Sequence, residues 1–100
     1  MDLKKALDKI TCSLKNGDFN YSKHFKDMMN DRYFEDKFLK KIIKSNELVS
    51  FEKQNKNLYK LIYYLNEQKD LILIINIGFK VKLVTIYKTD NGKRIRENEE

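Results

Sequence analysis

The sequence has few of the residues that hold small extracellular domains and metal sites together. Its one cysteine, Cys12, can form no intrachain disulfide, which is typical of a reducing compartment. Because the chain has only one histidine in addition to this cysteine, it offers no set of zinc ligands at the usual spacing. Its carboxylates form no DxD or ExxH pattern of the kind found in two-metal nucleases. We therefore expect neither a metal ion nor another cofactor.

Phosphate loops and membrane segments are also missing. The three glycines form no glycine-rich loop, which argues against nucleotide triphosphate chemistry. The longest apolar run, residues 71–75, is far shorter than the roughly 20 residues that span a membrane. The N-terminus has charges throughout, unlike a signal peptide. The expectation is a soluble, cytoplasmic protein without membrane contact.

The charge balance is strongly basic. The formal net charge is +6, and 18 of the 21 basic residues are lysine. Such a surface favours polyanions, of which nucleic acid is the commonest, so RNA is the expected partner. The alternative is A/T-rich codon usage, which raises lysine together with asparagine and isoleucine, and the chain has ten of each. Both explanations remain open from composition alone.

The apolar pattern predicts helices first and strands afterwards. Helices are predicted over residues 2–15, 23–32 and 36–45, and strands over residues 47–52, 58–66, 71–77 and 80–88. This order predicts an α+β fold, with two to three N-terminal helices packed on a four-stranded antiparallel sheet. We expect one domain over residues 1–90, with residues 1–16 as an extra N-terminal helix, and a charged flexible tail over residues 91–100.

The first predicted helix carries an apolar stripe. Its members are Leu3, Leu7, Ile10 and Leu14, at the three- and four-residue spacing of one helix face. The stripe either packs on the sheet or binds a partner, which includes a second copy of the chain in a homodimer.

Two side chains of the second predicted helix are candidate catalytic residues. His24 is the only histidine, and its charge changes near neutral pH, which suits general acid or base work. Arg32 lies eight residues further on nearly the same face, about 12 Å away, and can hold a phosphate with two nitrogens. The structural alternatives are that His24 is a capping or packing residue and that Arg32 pairs with a neighbouring aspartate.

The strands supply further candidates. Lys60, Lys80, Lys82 and Lys88 are candidate nucleic-acid contacts, and Tyr87 is the best tyrosine candidate because it ends the last strand beside Lys88. Strict alternation along the last strand is expected to put one set of residues on one face, Val81, Leu83, Thr85 and Tyr87. The opposite face would carry Val84 and Ile86 with Lys80, Lys82 and Lys88. The alternative is a half-exposed face whose lysines protect an edge.

Two motifs carry a family resemblance. One is His24-x3-Met28-x3-Arg32 within the segment SKHFKDMMNDR, and the other is the strand segment Val84-Thr85-Ile86-Tyr87. Together they resemble small uncharacterised prokaryotic domains related to the RelE, BrnT and MqsR-like toxins, over about residues 21–88. The resemblance implies a RelE/barnase-like fold. The helix before residue 16 is an addition to that pattern.

The resemblance also implies an activity. Toxins of this group act as endoribonucleases and are countered by an antitoxin protein. His24, Arg32 and Tyr87 match the recurring positions, and a nuclease built from such residues would be metal-independent, with cations stabilising the phosphorane and His or Tyr moving protons. The alternative is a non-catalytic basic module that binds nucleic acid or a protein partner.

Overall fold

The computed structural model describes residues 3–32, 34–78 and 80–90. The helices and strands in these ranges are α1 (Leu3–Asn16), β1 (Asn20–Tyr21), α2 (Lys23–Asp31), α3 (Asp36–Ser45), β2 (Leu48–Lys53), β3 (Leu58–Tyr64), β4 (Lys69–Ile77) and β5 (Val81–Asp90). The predicted α+β class is confirmed, and the predicted tail, 91–100, lies outside the described residues. No helix in the described ranges is long and apolar enough to cross a membrane.

Local sequence signals determine where α1 ends and where α2 begins. Gly17 has φ +75°, the left-handed conformation in which glycine commonly terminates a helix, and α1 ends just before it. Ser22 precedes α2, and its hydroxyl accepts a hydrogen bond from the Phe25 amide at 2.9 Å. This is the geometry of an N-cap, so the chain can turn directly from β1 into α2.

The sheet has the order β1-β5-β4-β3-β2. Strands β2 to β5 form the antiparallel meander that the sequence predicts. The predicted four-stranded antiparallel sheet is nevertheless wrong in one respect, because β1 adds a fifth strand. It pairs in parallel with β5, with Asn20 opposite Lys82 and Tyr21 opposite Leu83. A strand of two residues is too short to show an alternating pattern, which explains why its pairing was not predicted.

Strand β5 contains a register shift. Ile75 of β4 lies opposite Leu83, whereas Ile74 lies opposite Thr85, so Val84 is an extra residue on the β5 side. This is the two-against-one count of a β-bulge. Because side chains alternate with a period of two, one extra residue reverses the faces of everything after it.

The reversal overturns the predicted faces of the last strand. Leu83 and Ile86 both belong to the hydrophobic core, so the core face continues through Ile86 towards Lys88. Thr85 and Tyr87 lie on the opposite face. The expectation that Leu83, Thr85 and Tyr87 share a face is therefore wrong, since it assumed a strand without a bulge.

All three helices cover one face of the sheet. They contribute buried apolar side chains to a single core, whose helical members include Ala6, Ile10, Leu14, Phe25, Met29, Leu39, Ile42 and Ile43. Ile10 and Leu14 are at most 3% exposed. The second half of the α1 stripe therefore packs within the chain, which is one of the two predicted uses, whereas Leu3 is 50% exposed.

Helix α2 closes the free edge of β5. Beyond the two residues paired with β1, this edge has no strand neighbour among the described residues. The Ser22 amide donates to Leu83 O at 2.9 Å, and the Ser22 hydroxyl donates to Val84 O at 3.3 Å. At the other end of α2, Arg32 Nη1 donates to Ile86 O. The helix therefore satisfies edge carbonyls that would otherwise need water.

Replacing Ser22 with Ala tests this attachment. The substitution removes the N-cap and the hydrogen bond to Val84 O, so we expect the free energy of unfolding to fall by about 1–2 kcal/mol. Urea unfolding of the variant measures the change. Ser45→Ala, at the exposed end of α3, is the matched control and should change stability by less than about 0.5 kcal/mol. Equal effects of the two substitutions would contradict the role given to Ser22.

The burial of Tyr63 makes the free energy of unfolding depend on pH in the alkaline range. Burial raises the pKa of its phenol from 10.0 to about 12. Above pH 10 the unfolded chain releases this proton and the folded chain retains it, so unfolding becomes easier as pH rises. The stability should fall by about 2–3 kcal/mol between about pH 10 and pH 12 and be unaffected by this group below pH 10. Denaturant unfolding measures this decline, which Tyr63→Phe should remove. The control Tyr64→Phe, at an exposed tyrosine, should keep it. A decline of equal size in both variants would contradict its assignment to Tyr63.

Candidate nucleic-acid interface

The end of α2 and the end of β5 form an open depression of about 470 Å³. Arg32, Phe34, Tyr87 and Lys88 line it, and we call it the Arg32 depression. Two of the three predicted catalytic residues and one of the predicted lysine contacts therefore meet here. The fourth residue, Phe34, is 8% exposed and belongs to the hydrophobic core, so the depression has a firm apolar wall.

Arg32 has both a structural and an exposed part. Its Nη1 atom donates to Ile86 O, which fixes the guanidinium beside β5. The residue is otherwise exposed, and the remaining N–H groups of its guanidinium make no hydrogen bond within the described ranges. A guanidinium has five N–H donors in a planar fork, so one anchoring bond leaves several for a ligand. The anchor preorganises the fork at the depression.

Tyr87 and Lys88 reach the depression from opposite faces of the sheet. Adjacent residues of a strand point in opposite directions, so both can line one depression only at the strand's open edge. Lys88 lies on the helix side, where its Nζ is 5.2 Å from the centre of the Phe34 ring, a cation–π contact. Tyr87 approaches from the other side and is half-buried. The bulge at Val84 produces this arrangement, because it sets which of the two faces each residue takes.

The chemistry of the Arg32 depression suits an anion. It combines a guanidinium, an ammonium and a phenolic hydroxyl, and no carboxylate from the described part of the chain lines it. Arginine binds phosphate through two parallel hydrogen bonds, lysine adds a point charge, and the hydroxyl can donate a further bond or transfer a proton. A larger depression of about 600 Å³, beside Tyr21, is less suited to a polyanion because Asp27 and Glu35 stand on its rim.

His24 does not line the Arg32 depression. It lies in the first turn of α2 with its side chain exposed, eight residues before Arg32. That separation corresponds to about 12 Å along the helix. The structure thus brings Arg32 and Tyr87 together and leaves His24 two turns away.

The predicted lysine contacts lie in three different places. Lys60 is on β3, where its Nζ is 3.8 Å from Glu52 Oε2 on the neighbouring strand β2. Lys80 and Lys82 line a depression of about 530 Å³ at the far end of β5, together with Asn20 and Asn76. Lys88 belongs to the Arg32 depression. A single row of lysines along the sheet is therefore absent from the described strands.

Three further lysines were missed by reasoning from the sequence. Lys9, Lys53 and Lys56 line a third depression of about 460 Å³, which shares Gly78 with the Lys80 and Lys82 depression. For Lys53 and Lys56, at the β2–β3 turn, the predicted meander already contained a signal. In a meander every second turn lies at the same end of the sheet, so the β2–β3 turn and the β4–β5 turn were bound to be neighbours.

No metal centre is evident in the described part of the chain. His, Cys, Asp and Glu side chains form no group of three or more there that could hold an ion. The one cysteine, Cys12, is exposed on α1.

Comparison with known proteins places the chain in a family. No curated protein and no solved structure matches it. The family match covers residues 6–75, from α1 to near the end of β4, and so includes His24, Arg32 and Lys60 but not β5. This match spans well over half of the chain, and the protein belongs to the MJ0788 family.

Proposed function

We propose that this domain binds RNA at the Arg32 depression and acts on it in the manner of the RelE, BrnT and MqsR-like toxins. The observation that supports the proposal is the convergence of Arg32, Tyr87 and Lys88 on one depression, which no carboxylate of the described residues lines. These residues come from two elements that are distant in the sequence. The net charge of +6 adds a long-range attraction for a polyanion.

Each side chain of the depression has a role in this proposal. Arg32, anchored on Ile86 O, binds a phosphate with its remaining donors, and Lys88 neutralises the charge that builds up on the phosphate oxygens. In cleavage the ribose 2′-oxygen loses its proton and attacks phosphorus. The bond between phosphorus and the 5′-oxygen breaks, and the 5′-oxygen takes up a proton. The Tyr87 hydroxyl is placed to move one of these protons. No metal takes part.

A second candidate function is a binding module that does not cleave. The observation that favours it is the position of His24, about 12 Å along α2 from Arg32. Proton transfer at neutral pH is easiest for a group that titrates there, and no such group lines the depression. In this candidate the same residues bind RNA without turnover.

The toxin-type proposal includes an antitoxin protein as a partner. Such a protein would suppress the activity by covering the basic depression, for which acidic side chains are the complementary chemistry. A homodimer through the α1 stripe stays a prediction: Ile10 and Leu14 are buried in the chain's own core, whereas Leu3, at the start of the stripe, is 50% exposed.

RNA binding is tested by two substitutions in the depression. Arg32→Lys keeps the positive charge and a donor for Ile86 O but loses the planar fork, so we expect the affinity for single-stranded RNA to fall about tenfold. Lys88→Gln should weaken binding and reduce the slope of log affinity against log salt by about 0.7. Fluorescence anisotropy over a range of salt concentrations measures both. Lys41→Gln, on the exposed face of α3, is the matched charge control and should have less than about a twofold effect.

Retention of affinity in both depression variants would contradict the proposed site. Equal weakening by Lys88→Gln and Lys41→Gln would also contradict it, since binding would then follow net charge alone. Thermal unfolding of each variant shows whether a loss of binding reflects a loss of fold.

Cleavage is tested with the purified chain and RNA in excess EDTA. We expect metal-independent cleavage, slowed about 100-fold or more by Tyr87→Phe, because that change removes only the hydroxyl. Tyr64→Phe removes the hydroxyl of a more exposed tyrosine outside the depression and is the matched control. His24→Ala should have a smaller effect than Tyr87→Phe. If His24→Ala abolishes cleavage while Tyr87→Phe does not, the catalytic centre is elsewhere; if RNA is bound and never cleaved, the binding module is the correct function.

A further inference from the structure

Two turns of the sheet meet at the end opposite the Arg32 depression. The antiparallel pairing of β2, β3, β4 and β5 puts the β2–β3 turn beside the β4–β5 turn. A hydrogen bond from the Ile77 amide to Asn57 O, at 2.8 Å, joins the two turns directly. The end of β4 and the β2–β3 turn are therefore linked at this point.

Lysines surround this end of the sheet. Three line the depression on the β2–β3 side, two line the depression on the β4–β5 side, and Gly78 lines both. We call this double depression the Gly78 cleft. Its charged residues and its shared glycine are Lys9, Lys53, Lys56, Gly78, Lys80 and Lys82.

No carboxylate of the described residues balances the charge of the Gly78 cleft. All five lysines are exposed, and no aspartate or glutamate within residues 3–32, 34–78 and 80–90 lines either depression. The ion pairs within the described residues involve other lysines, namely Lys40, Lys60 and Lys69. Five like charges around one cleft repel one another, so an anion that binds there relieves the repulsion and gains several attractive contacts.

Gly78 belongs to the lining of both depressions. Among the described residues, leaving out the chain neighbours of Gly78, the one atom within 4 Å of a Cβ added at this position is Asn76 Oδ1, at 3.3 Å. Amide groups of Asn20, Asn57 and Asn76 also line the cleft and can donate hydrogen bonds to phosphate oxygens. The cleft therefore presents cations and neutral donors on both sides of Gly78.

We infer that the Gly78 cleft is a second binding surface for the phosphodiester backbone of single-stranded nucleic acid. It takes the part of the strand that extends beyond the Arg32 depression, and in this respect the inference rests on the proposed function. Lys82 precedes Lys88 by six residues of β5, which corresponds to about 20 Å. A very short oligonucleotide therefore occupies one surface, whereas a longer one reaches both.

A pair of triple variants tests the inference. Lys53→Gln, Lys56→Gln and Lys80→Gln together neutralise the cleft, and Lys37→Gln, Lys41→Gln and Lys44→Gln together neutralise the exposed face of α3. Each set lowers the net charge from +6 to +3. Anisotropy measures the affinity of both variants and the parent for single-stranded RNA of about 4 and about 12 nucleotides, and for DNA of the same sequence.

We expect the cleft variant to bind the longer RNA at least tenfold more weakly than the parent does, with a salt slope lower by about 2. Its affinity for the shorter RNA and the affinities of the α3 variant should change less than about threefold. Longer DNA should weaken in parallel with longer RNA, because the contacts are to phosphates. Weakening of RNA alone would overturn the backbone assignment.

The outcomes separate this inference from the proposed function. Equal losses in the two triple variants, or an unchanged affinity in the cleft variant, would overturn the cleft while leaving the Arg32 depression in place. Absence of RNA binding by the parent at low salt would overturn both. Thermal unfolding confirms that each variant is folded before its affinity is compared.

Substitution of Gly78 gives an independent test of the same cleft. Gly78→Glu adds a negative charge between the two groups of lysines, and Gly78→Gln adds a side chain of the same size without charge. The Cβ of either side chain would lie 3.3 Å from Asn76 Oδ1, the end of a flexible side chain, so both variants make the same local demand. We expect Gly78→Glu to weaken binding of the longer RNA at least fivefold relative to Gly78→Gln, and equal affinities of the two variants would contradict the inference.

Discussion

The attachment of α2 to the free edge of β5 is the contact on which the rest of the structure depends. Ser22 holds one end of the helix to the strand, and Arg32 holds the other end through Ile86 O. Between these points Phe25 and Met29 are buried in the core. The edge carbonyls are thereby satisfied and the helix layer is fixed on the sheet. The same attachment holds a guanidinium beside Tyr87 and Lys88, so the candidate site results from how the sheet edge is closed.

Much of the fold could be predicted because its signals are local. Apolar periodicity gave the helices to within a few residues, Gly17 and Ser22 marked a helix end and a helix start, and short turns predicted the antiparallel meander. What the sequence did not predict depends on distant pairing. The two residues of β1 show no pattern by themselves. The bulge at Val84 is visible only when β5 is aligned with β4, and it changes the face of every later residue.

The candidate site was predictable in part for the same reason. Arg32 and Tyr87 were selected by residue type and motif, and the structure brings them together with Lys88. His24 shares a helix face with Arg32, but a shared face does not bring side chains two turns apart to one point. Of the other lysines, Lys60 is paired with Glu52, and Lys80 belongs to the Gly78 cleft at the opposite end of β5. Sequence shows which residues can bind phosphate, whereas the register determines which of them act together.

The central claim, that RNA binds at the Arg32 depression, is tested most directly by nuclear magnetic resonance. Isotope-labelled protein would be titrated with single-stranded RNA in EDTA, and changes in chemical shift followed residue by residue. If RNA binds at the Arg32 depression, we expect the Arg32 side chain and the amides of Ile86, Tyr87 and Lys88 to be among the most strongly shifted signals. Saturable shifts that leave these signals unchanged and affect only other surfaces, or no shifts at low salt, would contradict it.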